Sequence, residues 1–218
     1  MAKRYFSING LKKILLAAGV ALVLAGCNPW EDSKSYTSQI GGSVGDGPVV
    51  GATVTIYSVS GQVLGTLQSD SNASYRSTVK AKGNDYPLRL VASGGIDLVT
   101  GAVPDFDMVS TVAHPSDKNA NINPFSTLIA KSAEAMPGGL TAANVESAKG
   151  IVMNTLGFGL NSNAVPDPIT TKIDNGNVAH IVKASEMLGE MVRRTRDLVA
   201  GAGTPVDGDT VMDCLLYT

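Results

Sequence analysis

The sequence predicts an α+β chain: an N-terminal β-sandwich followed by a small helical region of about three helices. Three observations predict it. Short β-branched runs with two-residue alternation fill residues 41–100, and turn pairs such as Ser60-Gly61 separate them. From Asn123 the apolar spacing becomes helical. The chain has 24 glycines and only 5% aromatic residues, a composition that suits short strands joined by tight turns.

The strands follow in order. Asp46-Gly47-Pro48 is a turn signal. After it Ala52, Val54 and Ile56 fall on one face, and Thr53, Thr55 and Tyr57 on the other. Further strands are expected over 63–67, 75–79 and 86–92, and one more over 108–112. The helices have start and stop signals. Asn123 is a cap and Pro124 suits the first helical position. Phe125, Leu128, Ile129, Ala133 and Met136 share a face. Thr141 caps a second helix with Val145, Ala148, Val152 and Leu156 in register, and Gly157 ends it. Asn177 caps a third over 178–200, with a stripe of Val178, Ile181, Val182, Leu188, Met191, Val192, Leu198 and Val199.

The N-terminus carries an address. Lys3, Arg4, Lys12 and Lys13 precede an apolar run of 11 residues from Ile14 to Leu24. A helix rises about 1.5 Å per residue, so this run reaches only about half of a ~30 Å hydrocarbon core. A basic start, a short apolar run and a small-residue site make an export signal. Leu24-Ala25-Gly26-Cys27 resembles the lipobox of bacterial lipoproteins, which implies acylation of Cys27 and cleavage before it. Several acyl chains hold a protein durably at ~0.8 kcal/mol per buried CH₂. The resemblance further implies the outer membrane for a Gram-negative source, because Asn28, not Asp, follows the cysteine.

Gly42-Ser43-Val44 and Gly47-Pro48-Val49-Val50-Gly51-Ala52-Thr53-Val54 resemble the opening of the carboxypeptidase regulatory-like domain. Ser69-Asp70-Ser71-Asn72-Ala73-Ser74-Tyr75 is similar to that family's second signature. The resemblance implies an Ig/transthyretin-like β-sandwich, a non-catalytic module that spaces other domains or binds protein or sugar. Ala73 stands where the family has a turn glycine, so Asn72 or an altered turn is expected to take any left-handed backbone.

The expected organisation is a signal peptide over 1–26, a flexible tether over 27–40, the sandwich over 41–112, the helical region over 122–200 and an irregular tail over 201–218. Trp30 lies close to the anchor, at a position suited to the headgroup level. Loss of residues 1–26 leaves 13 basic and 19 acidic side chains, a net charge near −6, which argues against nucleic acid. Cys214 has no partner once Cys27 is lipidated, and reads as a buried or free thiol.

No zinc spacing, nucleophile elbow or phosphate loop occurs, so no catalytic residue, cofactor or metal is assigned. His114 and His180 read as surface or satisfied histidines. Asp46 and Asp70 read as turn formers rather than a calcium pair, because Asp side chains bond nearby backbone amides. Arg193, Arg194 and Arg196 read as a solvated face that complements the helix dipole. Met187 and Met191 read as core filling. Tyr57, Tyr75 and Tyr86 are candidate ligand contacts that would stack a sugar, with sandwich packing as the other role.

The expected function is a lipid-anchored, non-catalytic cell-envelope protein with a structural or recognition role. Its partners would be the membrane, through the lipid, and an envelope protein or polysaccharide. The alternative is an accessory or carbohydrate-binding component of an envelope hydrolase system. The weakly patterned tail adds the expectation of a truncated relative of a larger surface protein.

Overall fold

A computed structural model describes residues 33–217 of the chain. The signal peptide, Cys27, Asn28 and Trp30 lie outside the described residues. Eight strands come first: β1 Ser35–Ser43, β2 Val49–Val50, β3 Thr53–Tyr57, β4 Val63–Gln68, β5 Ser74–Lys82, β6 Leu88–Ser93, β7 Ile96–Asp97 and β8 Met108–Val112. Four helices follow: α1 Pro124–Ala135, α2 Ala142–Thr155, α3 Val178–Gly201 and α4 Gly208–Cys214. The strands form an antiparallel sheet in the order β4-β3-β6-β8, a β1-β5 ribbon and a short β2-β7 pair. This is the expected α+β class, with a sandwich-like part before the helices.

The alternation in β3 places Ala52, Val54 and Ile56 inside, while Thr53, Thr55 and Tyr57 stay half-buried. Inward residues of β1, β5 and β6 join them, and α1 and α3 extend the same cluster through Phe125, Leu128, Ile129, Leu188 and Val192. Sheets and helices therefore share one continuous apolar core.

β8 is an edge of the four-stranded sheet, and an edge exposes unpaired backbone groups. α1 closes it with side chains. Thr127 Oγ1 accepts from Val109 N at 2.9 Å, and Ser126 Oγ donates to Val109 O at 2.6 Å. That is why all five residues of β8 are buried, including Ser110 and Thr111.

The helix starts follow the sequence signals in two of three cases. Asn123 Oδ1 accepts from Ser126 N and Thr141 Oγ1 accepts from Asn144 N. Asn177 makes no side-chain cap. Its amide serves the preceding loop instead, donating to Lys172 O and accepting from Asp174 N.

Other expectations are corrected. The segment read as a tether is ordered strand from Ser35, because β1 pairs with β5 from Ser35↔Lys82 to Ser43↔Ser74. Its inward positions are Ser38 and Ile40, and the hydroxyl of Ser38 hides the apolar alternation. The tail read as irregular contains α4. Asp207 caps it through Thr210 N, Val211 and Met212 are buried, and Lys131 of α1 reaches Asp213 at 2.6 Å. Ala73 itself takes the left-handed backbone, with φ 54. Asp70 pins that turn by accepting from Asn72 N and Ser74 N. Met187 and Leu198 lie on the exposed face of α3, not in the core.

Asn123 both caps α1 and donates its buried amide to Pro168 O at 2.9 Å. Asn123→Ala removes the cap and leaves that carbonyl only the longer bond from Asn121 Nδ2, at 3.4 Å. We expect a loss of about 2 kcal/mol, read as a lower denaturant midpoint at unchanged slope.

Candidate functional site

The side chains with unusual surroundings gather where α3 crosses the β1–β2 connection. Val49 N donates to Val44 O, and this tight turn projects Asp46 inward. The Asp46 side chain is 1% exposed. β7 pairs with β2 through Val49↔Asp97 and brings Asp97 alongside. Asp97 is held by the turn that follows it, accepting from Val99 N at 2.8 Å and Thr100 Oγ1 at 2.9 Å. α3 supplies Glu186 and, two turns on, Arg193.

Buried positions on α3 run Ile181, Ala184, Ser185, Leu188, Gly189 and Val192, a helical stripe facing the sandwich. Gly189 lies under Asp46, where a Cβ would stand 2.3 Å from Oδ2. Arg193 spreads its guanidinium among four acids. Nη1 lies 3.3 Å from Asp46 Oδ2 and 3.8 Å from Asp105 Oδ2. Nη2 lies 3.6 Å from Glu186 Oε2, and Nε 3.0 Å from Glu190 Oε2. Arg196 also contacts Asp105 and Asp197. Arg194 remains exposed beside Glu190.

One guanidinium does not satisfy this set. Asp46 Oδ1 and Glu186 Oε1 are buried atoms without a hydrogen-bond partner. The Asp46 carboxyl is pushed up to about 7, first by burial and then by Glu186 and Asp97, with Arg193 opposing them. Glu186 is also raised, first by burial and then by Asp97.

Asp46 also lines a cavity of about 710 Å³ between β1, residues 118–123, the 172–175 loop and the first half of α3. Ser185 lines it too, 1% exposed, with an unpartnered hydroxyl. Exposed Arg76, Lys118 and Lys172 stand around the same cavity. It thus combines buried acceptor groups with a basic rim.

The positions singled out from sequence scatter. Tyr75 is buried, lines this cavity and donates to Ala120 O. Tyr57 and Tyr86 line two other cavities, and Tyr86 OH bonds Ser38 Oγ at 2.9 Å. The three rings line three different cavities. Asp70 is an exposed turn former, as its residue type implied. Asp46 is not: its carboxylate serves the cluster with Asp97 and Glu186. His114 and His180 are exposed. Cys214 is an exposed free thiol. Asp97, Glu186 and Ser185 carried no signal, because the cluster is built from residues 46, 97 and 186.

Two measurements probe these groups. In metal-free buffer, folded Asp46 keeps its proton up to about pH 7, while the unfolded chain releases it near its ordinary value of 3.8. Between those values the folded state binds more protons, so stability from this group is full at the acid end and is lost as pH rises. The slope is at most about 1.4 kcal/mol per pH unit. Asp46→Asn should remove it, and chemical denaturation of both proteins between pH 4 and pH 8 checks this. Ser185→Ala should leave stability unchanged or raise it by about 1 kcal/mol, since its hydroxyl bonds nothing in the fold. A lower denaturant midpoint would show instead that the hydroxyl holds the helix in place.

Among the described residues no helix is long and apolar enough to cross a membrane. Residues 12–28 match the family of prokaryotic membrane lipoprotein lipid attachment sites. Cys27 is the one cysteine in that range. No curated protein and no solved structure matches the chain. The match supports a bacterial lipoprotein held at the envelope through a lipid.

Proposed function

We propose that this chain is a non-catalytic lipoprotein of the cell envelope, anchored through acylated Cys27, with a structural or recognition role. The lipid attachment site over residues 12–28 carries the reading, because it ties the folded part to a membrane surface. The carboxypeptidase regulatory-like resemblance of residues 41–100 belongs to the same reading. Asn28 after the cysteine favours the outer membrane in a Gram-negative cell.

Within that role, recognition has the better support. The cavity beside α3 holds two deeply buried side chains, Asp46 and Ser185, each with an oxygen unused by the fold. Such groups suit a small polar ligand that donates hydrogen bonds. The alternative is an accessory or carbohydrate-binding component of an envelope hydrolase system, and the same cavity is where a sugar would enter. A stacking platform of Tyr57, Tyr75 and Tyr86 has less support, since Tyr75 is buried and the rings line separate cavities.

Intact mass and membrane fractionation of wild type beside Cys27→Ala test the anchor. The expected mature species starts at Cys27, carries added acyl mass and sediments with membranes, and the variant loses both mass and sedimentation. A soluble, unacylated wild type would overturn the reading.

A further inference from the structure

We propose that Asp46, Asp97 and Glu186 form a binding site for a hard divalent cation of the calcium class, set between the β1–β2 turn, β7 and α3. One carboxylate oxygen from each residue lies within 4.8 Å of the others. Oxygens that bind one calcium ion at 2.3–2.6 Å are separated by up to about this distance. An all-carboxylate donor set suits such an ion rather than a softer metal.

The partition of oxygens is the second observation. Arg193 takes Oδ2 of Asp46 and Oε2 of Glu186. The other oxygen of each, Oδ1 and Oε1, is buried and has no partner. The Asp46 side chain is 1% exposed, so water does not compensate it readily. Asp97 is the third acid of the group, with its carboxylate already oriented by Val99 N and Thr100 Oγ1.

Two glycines leave the room. A Cβ on Gly47 would stand 2.3 Å from Asp97 Oδ1 and 2.8 Å from Glu186 Oε1. A Cβ on Gly189 would stand 2.4 Å from Asp46 Oδ1. Neither glycine has a left-handed backbone, so space around the carboxylates, not turn geometry, is what they supply. The Arg193 guanidinium lowers affinity, which places the site in the weak range of extracellular calcium modules, about 10⁻⁴–10⁻³ M.

The test uses the full chain, solubilised in detergent, stripped with chelator and titrated with calcium chloride. Equilibrium dialysis and the thermal midpoint are the readouts. Wild type should take up one calcium per chain and melt higher with it. Glu186→Gln and Asp97→Asn keep side-chain size and remove one charge each. Gly47→Ala pushes a methyl group among the carboxylates, whose ends can swing aside while the fold persists. Each should weaken uptake at least about tenfold. Asp70→Asn, in an exposed turn, should bind as wild type does. Circular dichroism identifies folded variants, and the folded ones decide. No stoichiometric uptake by wild type, or equal uptake by the folded variants, would overturn the site. Neither result depends on whether Cys27 is acylated.

Discussion

The placement of the helices depends on a buried polar seam, residues 120–123, laid against β1. Asn121 is its centre. Its Oδ1 accepts from Ser43 N at 3.1 Å, and its Nδ2 donates to Thr171 O at 2.7 Å and to Pro168 O. Backbone bonds run beside it, Ala120 N to Gly41 O and Ile122 N to Ser43 O. The two backbones are so close that a Cβ on Gly42 would stand 2.6 Å from Ala120 O. Both ends of the Asn121 side-chain amide are used, which is the condition under which a buried amide specifies a structure rather than weakening it. Asn123, at the end of the seam, starts α1. The Pro168 and Thr171 carbonyls fix the loop that leads into α3. The sandwich and the helices are thus joined by directional bonds as well as by apolar contact.

The acid cluster follows from that geometry. Asp46 and Asp97 belong to the sandwich, Glu186 and Arg193 to α3. Their approach depends on the seam holding α3 across the β1–β2 turn. Burying Asp46 and gathering like charges around it both oppose docking, and its carboxyl is raised first by burial and then by Glu186 and Asp97. Burial of Ile181, Leu188 and Val192 on the same face supplies the offset. At roughly 25 cal/mol per Å² of apolar area, a few such side chains outweigh one unfavourable carboxylate contact. A net docked helix with an electrostatically unsettled centre is the result.

The periodic parts of this architecture were legible in the sequence, and the parts set by tertiary pairing were not. The alternation in β3 and the stripes of α1, α2 and the first four turns of α3 come from residues whose burial follows their spacing, while Leu198, near the end of α3, is exposed. β1 was hidden because its inward positions alternate Ser38 with Ile40, so hydrogen bonding to Tyr86 and Pro115 replaces apolar signal. α4 was hidden because seven residues are too few for a clear period. Ala73 was misread because a neighbour, Asp70, holds the strained turn from outside. The cluster was invisible for a different reason. Its acids are separated by 51 and 89 positions in the chain, and no local pattern links them. Asp46 looked like a turn residue since its turn is real, but its carboxylate points away from the bonds that turn residues usually make.

Asp46 belongs to two features at once, and this has a mechanical consequence. It lines the cavity beside Ser185, and it faces Asp97 and Glu186. Whatever neutralises its free oxygen changes the charge on the cavity wall. A proton and a cation act differently here. A proton turns the oxygen into a hydrogen-bond donor and leaves the three acids unlinked. A cation at the proposed site would bridge the β1–β2 turn, β7 and α3, and so tie the helix to the sandwich through the acids that Arg193 already contacts. In the first state Arg193 alone joins Asp46 to Glu186; in the second the cation would join them as well. The two states would therefore present different charge to a ligand in the cavity, through the one side chain of Asp46.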